Sequence, residues 1–175
     1  MMTVWLGAGL LIFGAVGVGT CICRERREHT GQLKNLEQAF LIISGEIGYS
    51  RISLPEILKD TGEKIAPKDP VGNAFLQIAA RLCDGSGQDI RDIWQEEMEK
   101  VLGMSRLTAQ EKELICSFPD TVWYLDGERQ QSAVRKFAQR IGEAAMCAAQ
   151  KEQEENRVTM MVSLACGIFT ALMLC

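Results

Sequence analysis

The side chains that most often carry catalysis or bind metals are sparse in this sequence. The 175-residue chain has one histidine, His29, which lies in a charged stretch. With a single histidine, zinc sites built on histidine pairs and several arrangements for nucleophilic catalysis are hard to form. We therefore predict that His29 is a solvated surface residue.

The seven cysteines are the next candidates for chemistry. Four lie in or beside two apolar terminal runs: Cys21, Cys23, Cys166 and Cys175. The others, Cys83, Cys116 and Cys147, fall at apolar positions of helical patterns, where a free cysteine behaves as a small hydrophobic residue. The odd count and a central block expected in the cytoplasm both predict reduced thiols.

A thiol site at Cys21 and Cys23 is the alternative that competes with a purely structural role. The pair lacks the Cys-x-x-Cys spacing of zinc and dithiol sites and has no downstream partner pair, so we expect no metal and no cofactor. A membrane-anchored redox or sensor protein that uses these two thiols remains the alternative function.

Carboxylates occur in pairs and clusters that could support acid-base chemistry. Glu96 and Glu97 form one group, and Glu152, Glu154 and Glu155 form another. Both groups lie in helical charge runs, which are typical of a solvated helix face. We predict no catalytic residue among them.

A phosphate-binding loop is also missing. The Asp-Gly-Ser-Gly segment at residues 84–87 lacks the lysine that follows a phosphate-cradling glycine loop. ATP hydrolysis by this chain is therefore not supported, and we predict that the protein is not an enzyme.

The distribution of charge predicts how the chain is organised. All 19 Lys and Arg and all 23 Asp and Glu residues lie between Arg24 and Arg157. The apolar runs Val4–Cys23 and Val158–Cys175 would span about 30 Å and about 27 Å as helices, close to the thickness of a bilayer core. We predict transmembrane helices at residues 1–23 and 158–175, which flank a helical bundle domain at residues 24–157.

A cleaved signal peptide or lipoprotein signal is the alternative for the first run. No Lys or Arg precedes it, and Thr20 stands before Cys21 where a lipoprotein signal has Gly or Ala. Three arginines follow the first run, Arg24, Arg26 and Arg27, and Lys151 and Arg157 precede the second. The positive-inside rule therefore places the central block in the cytoplasm. The net charge of −4 does not indicate a nucleic-acid partner.

The central block shows helical rather than strand periodicity. Apolar residues recur every three or four positions in stripes at residues 33–47, 71–82, 90–102 and 134–148. The segments at residues 53–56 and 108–111 have the pattern of capping boxes, the first opening a helix to about Asp60 and the second a helix that ends near Pro119. We predict an all-α antiparallel bundle of about six helices, whose first and last helices continue into the apolar runs.

Two groups of residues are candidate interaction sites. Thr159, Ser163, Gly167 and Ala171 recur every four residues and give the second run a face of small side chains, which in lipid permits close helix packing. A generic membrane scaffold that oligomerises through this face is a further alternative.

Trp123 and Tyr124 form the second candidate site. They lie in the loop before the last helix, where an exposed aromatic pair could contact a partner, or could pack within the bundle.

Several short motifs resemble those of the stage III sporulation protein AB family, and the resemblance covers essentially the full chain. They are Leu33-x-x-Leu36, Glu46-Ile47-x-Tyr49, Leu54-Pro55, Trp94, Phe118, Leu125-Asp126-Gly127 and Gln130-Gln131. Ser50 stands where members usually carry Gly, and Leu54 precedes the proline where members usually carry Thr; both departures preserve the turn chemistry.

The resemblance implies a fold and a role. Such proteins are similar to the cytoplasmic domains of type II secretion and type IV pilus platform proteins, which are small antiparallel helical bundles. It implies a platform on the mother-cell side, at the outer forespore membrane, within the mother-cell to forespore channel complex. The implied partners are a cytoplasmic secretion-type ATPase, the AA component, and other channel components; self-association is a further expectation.

Overall fold

The computed structural model describes residues 2–49, 52–66, 69–84, 87–123, 125 and 127–174, and the side chains of residues 2–13, 15, 16, 167 and 170–174 lie outside this description. Over the described residues the chain forms α-helices and no strand, so the all-α prediction is confirmed. The helices are α1 Met2–Tyr49, α2 Leu54–Ile65, α3 Pro70–Cys83, α4 Ile90–Leu102, α5 Ala109–Cys116, α6 Phe118–Val122 and α7 Gly127–Leu174.

The chain divides into two compact units. One comprises residues 1–30 with residues 146–175, and the other comprises residues 31–145. Helices α1 and α7, of 48 residues each, contribute to both units. The predicted continuation of the first and last helices into the apolar runs is therefore confirmed over residues 2–49 and 127–174.

Among the residues that the structure describes, no helix is both long enough and apolar enough to cross a membrane. The transmembrane helices predicted at residues 1–23 and 158–175 are accordingly not supported by the structure. Most side chains of the first run, and those near the end of the second, lie outside the described set.

The unit of residues 31–145 is a helical bundle whose core matches the predicted stripes. Residues 33, 36, 40, 43, 71, 75, 78, 79, 90, 93, 94, 98, 102, 134, 137, 138, 141 and 145 are buried. Ile47, Leu82, Val101 and Ala148, at the ends or edges of the stripes, are half-buried. The helical period read from the sequence thus identifies the inner face of each helix.

Polar contacts fix the order of the helices in this bundle. The Ser44 hydroxyl of α1 donates to the carbonyl of Gln131 in α7 at 3.4 Å, with the two helices antiparallel. The Asn35 side chain of α1 donates to Asp69 Oδ2 at 2.9 Å, and Asp69 Oδ1 caps α3 by accepting from the Val71 N–H at 3.0 Å. The entry to α3 is thereby tied to α1.

Two predicted helix ends were wrong. Helix α2 extends to Ile65 rather than Asp60 because Thr61 and Gly62 continue its buried face, although neither is apolar enough to extend the pattern. Pro119 does not end a helix but lies in the first turn of a separate short helix, α6, where its missing N–H leaves no hydrogen bond unmade. The described bundle consequently has one more helix than predicted.

The two predicted capping boxes had different outcomes. At α5, Thr108 Oγ1 accepts from the Glu111 N–H at 3.3 Å and Glu111 Oε2 accepts from the Thr108 N–H at 2.7 Å, so this prediction is confirmed. At α2, Ser53 is the N-cap residue but its side chain makes no capping bond. The Glu56 N–H donates to the Ser53 carbonyl instead, at 3.0 Å.

This difference predicts unequal effects of two similar substitutions. Thr108→Ala removes a hydroxyl that satisfies a helix N–H and is expected to lower the free energy of unfolding by about 1 kcal/mol. Ser53→Ala, at an N-cap without a side-chain bond, is expected to change it by a few tenths at most. Chemical unfolding followed by circular dichroism measures both, and equal losses would contradict the assignment of the caps.

Candidate functional site

In the unit of residues 1–30 and 146–175, α1 and α7 pack antiparallel around Arg26. Its guanidinium donates to Glu155 Oε2 at 3.0 Å and to Thr159 Oγ1 at 3.1 Å, with Asn156 Oδ1 at 3.4 Å. The cation thus joins the helices through three side chains of α7. Glu155, predicted to be part of a solvated carboxylate run, is instead half-buried and paired, because α1 covers its face of α7.

The predicted small-residue face is described only in part. A Cβ added at Gly19 of α1 would lie 2.8 Å from Ser163 Oγ, so Ser163 and α1 are in close contact at that glycine. Thr159 accepts the hydrogen bond from Arg26. These two members therefore face α1 of the same chain, while the side chains of Gly167 and Ala171 lie outside the described residues. A packing role for the whole face stays a prediction.

Trp123 of the second predicted site is half-buried at the end of α6. It lines a small depression together with Leu58 of α2, Ile90 of α4 and Pro119 of α6. Tyr124 lies outside the described residues. A partner contact through this pair stays a prediction.

Glu96 and Glu97 contact α3 rather than forming a fully solvated face. Glu97 is 9% exposed, and its Oε1 accepts from Arg81 Nη1 at 2.7 Å and from Lys100 Nζ at 2.9 Å. Glu96 is exposed and accepts from Arg81 at 2.9 Å and Lys100 at 3.0 Å. The prediction of a solvated face is wrong for Glu97, because α4 packs against α3 and two cations offset its loss of water.

The electrostatics of this four-residue cluster are those of a structural ion network. Burial raises the pKa of Glu97, but hydrogen bonds from Lys100 and Arg81 outweigh it and hold that pKa below the ordinary 4.5. The pKa of Glu96 is lowered chiefly by the hydrogen bond from Lys100 and then by that from Arg81. Both carboxylates are charged at neutral pH, and the network holds α3 against α4.

The network predicts a loss of stability in acid. Because the pKa values of Glu96 and Glu97 are lower in the folded chain than in the unfolded chain, their stabilising contribution is complete above pH 4.5. It disappears as the pH falls through the folded-state values. We expect Glu97→Gln to lower the thermal midpoint at pH 7 and to reduce its fall between pH 6 and pH 3.

Glu113→Gln is the matched control for this pH series. Glu113 is exposed, and the described residues form no ion pair with its side chain. Its substitution should leave the pH dependence of the thermal midpoint unchanged. If Glu97→Gln and Glu113→Gln gave identical curves, the cluster would contribute nothing to acid stability.

The cysteines depart from their predicted burial. Cys83 and Cys147 are exposed rather than packed as small hydrophobic residues, because they lie at the edges of their helical stripes. Cys116 is half-buried, and burial followed by the nearby charge of Glu99 raises its pKa. The described thiols of Cys21 and Cys23 form no disulfide.

His29 is half-buried rather than fully solvated. Within the described part of the chain, no three His, Cys, Asp or Glu side chains cluster closely enough to hold a metal ion.

A basic groove at the start of α7 was not identified from the sequence. Arg129, Lys136 and Arg140 line it together with Leu125 and Phe137. The spacing of seven and four residues between these cations is a detectable signal of a shared helix face. It was missed because the charges of α7 were read as interspersed, whereas every charged residue between Glu128 and Glu143 is basic.

The fold and these sites define the class of protein. A helical bundle with an aromatic core, together with an antiparallel pair of long helices joined by an ion pair, is an all-helical bundle protein. The family model of stage III sporulation protein AB matches residues 4–175, and the chain belongs to that family. Membership of this family indicates a role in sporulation.

One relative supports the same assignment at low identity. Stage III sporulation protein AB of Bacillus subtilis (strain 168) is 21% identical over 169 residues, which cover 97% of this chain and 97% of the relative. No solved structure matches the chain.

Proposed function

We propose that the protein is a membrane-anchored, non-enzymatic platform of the mother-cell to forespore channel complex. Residues 31–145 would engage a cytoplasmic secretion-type ATPase, similar to stage III sporulation protein AA, and the terminal helices would anchor the chain on the mother-cell side, at the outer forespore membrane. The observation that carries this proposal is the continuity of α1 and α7, which each join a charge-free terminal stretch to the bundle in one helix.

The charge pattern supports the membrane anchor. The 23 residues before Arg24 and the 18 after Arg157 carry no Lys, Arg, Asp or Glu. Immediately inside these limits, Arg26 pairs with Glu155, so the first charged turns of the two helices are joined to each other. This pairing lowers the cost of placing Arg26 and Glu155 close to an apolar phase.

The use of charge in the bundle supports a binding role rather than a catalytic one. The most perturbed carboxylates, Glu96 and Glu97, hold α3 to α4 through Arg81 and Lys100. Structural ion networks of this kind perturb pKa values without acting on a substrate. A rigid bundle with such contacts suits a surface that binds another protein.

Fractionation of sporulating cells tests the anchor. The full chain should stay in the membrane pellet after alkaline carbonate extraction, whereas a chain lacking residues 1–23 and 158–175 should move to the supernatant. Release of the full chain by carbonate would count against the anchor. A detergent wash that releases both forms serves as the control for aggregation.

Complementation and pull-down test the platform role. The full chain, expressed in the mother cell of a strain lacking it, should restore forespore development after engulfment, whereas the chain without its terminal runs should not. The detergent-solubilised full chain should retain the ATPase at micromolar concentration. Normal spores in the deletion strain, or no retention of the ATPase, would argue against the proposal.

The same complementation assay separates the platform from a thiol redox protein. Cys21 is exposed and Cys23 is half-buried, and neither forms a disulfide, so both thiols could react. A chain with Cys21→Ser and Cys23→Ser should restore sporulation fully if the protein is a platform. Loss of sporulation in this variant, with normal amounts of protein in the membrane, would favour the redox alternative.

A further inference from the structure

The basic groove of residues 31–145 is formed where the chain enters α7. It has a volume of about 690 Å³ and lies between Thr121 and Leu125 on one side and the first turns of α7 on the other. Arg129, Lys136 and Arg140 line it and are exposed. The groove is therefore an open surface that solvent reaches.

Among the described residues that line this groove, cations outnumber carboxylates. The described residues form no ion pair with Arg129, Lys136 or Arg140, whereas Arg81 pairs with two carboxylates. Among the described residues that line the groove, Glu128 is the one carboxylate. An excess of positive charge here contrasts with the net charge of −4 of the chain.

The geometry of the groove restricts what can occupy it. Residues 129, 136 and 140 lie on one face of α7 and extend over about 16 Å, or three turns of helix. Leu125 and Ala133, which are half-buried, add some apolar surface to the groove. A helix with carboxylates at matching spacing and an apolar side chain between them would complement both features.

We propose that this groove binds an acidic amphipathic helix of a partner protein. The proposal deepens the platform role and rests on it for the presence of a cytoplasmic partner. A flat membrane surface fits less well, because the groove is concave.

Site-specific crosslinking in sporulating cells tests the groove in the full chain. Ser132 lines the groove and is exposed, so p-benzoylphenylalanine at this position places a photoreactive group inside it. We expect a crosslink to one protein segment that carries carboxylates three or four residues apart, identified by mass spectrometry. The double variant Lys136→Glu with Arg140→Glu should reduce the crosslink roughly tenfold, since it turns attraction into repulsion.

The control has the same change of charge outside the groove. Lys34→Glu with Arg135→Glu alters two exposed cations that do not line it and should leave the crosslink unchanged. If the groove double variant has altered circular dichroism, the single variants Lys136→Gln and Arg140→Gln replace it. Each should give a smaller loss in the same direction.

Three results would overturn the proposal: no crosslinked protein, a crosslinked segment without an acidic stripe, or an undiminished crosslink in all groove variants. Binding to phosphatidylglycerol vesicles that disappears in the groove variants, without a protein crosslink, would reassign the groove to lipid and also overturn it. The ATPase pull-down separates the two proposals. If the groove variants retain the ATPase and their crosslink is undiminished, the groove proposal fails and the ATPase role stands. If the groove crosslinks to a protein but the chain does not bind the ATPase, the ATPase role fails and the groove proposal stands.

Discussion

Phe40→Ala is expected to lower the free energy of unfolding by about 3–5 kcal/mol, because the substitution opens a cavity at the centre of the bundle. Phe40 is fully buried, and its ring centroid lies 4.8 Å from those of Phe118 and Phe137, 6.1 Å from that of Phe75 and 6.5 Å from that of Trp94. These four rings come from α3, α4, α6 and α7 and cannot all move inward. Urea unfolding followed by tryptophan fluorescence measures the loss.

The neighbouring position supplies a control on the same helix. Leu41 is 44% exposed, so Leu41→Ala removes less buried apolar surface and should lower the free energy of unfolding by less than about 1 kcal/mol. Similar losses at positions 40 and 41 would contradict the central place of the Phe40 ring. A loss at Phe40 below 1 kcal/mol would mean that the cluster relaxes around the cavity.

Gly72→Ala is expected to have the second large effect, a loss of about 1–3 kcal/mol, although alanine is the better helix former. A Cβ added at Gly72 would clash with the backbone of Ala66, because it would lie 2.5 Å from the Ala66 Cα. Backbone atoms cannot rotate aside as a side chain can, so α2 and α3 must separate. Thermal unfolding of the full chain measures the effect.

An open glycine provides the opposite control. A Cβ at Gly45 of α1 would have no atom within 4 Å, and the residue is exposed. Gly45→Ala should therefore stabilise the protein by up to about 1 kcal/mol, since alanine restricts the unfolded chain and favours the helix. If Gly72→Ala were also stabilising, the close packing of α2 on α3 would be wrong.

The inner faces of the helices could be predicted because burial follows a period of about 3.6 residues. Trp94 fell on such a stripe and is fully buried, with its Nε1–H donating to the Ile115 carbonyl at 3.0 Å. The length of α2 could not be predicted in the same way. Gly62 has no side chain, so it does not contribute to an apolar pattern in the sequence. It is nevertheless buried, because Gly72 and Leu76 of α3 pack against it.

The candidate sites show the same limit. The spacing of Thr159 and Ser163 indicated a close-packed face. It could not indicate that Gly19 and Arg26 of α1 lie opposite them, because these segments are more than 130 residues apart in the sequence. The burial of Glu97 likewise needs Arg81 from another helix, which no local pattern predicts. The basic groove needs both α7 and the segment before it.

The sequence by itself determined the helical class, the uninterrupted course of α1 and α7, and the family, because each is written in local periodicity or in the order of short motifs. Only the tertiary structure decided which charges are neutralised and which remain exposed. Side chains distant in sequence become ion-pair partners only when helices pack, so Glu97 acquires two cations while Lys136 and Arg140 keep their charge facing solvent.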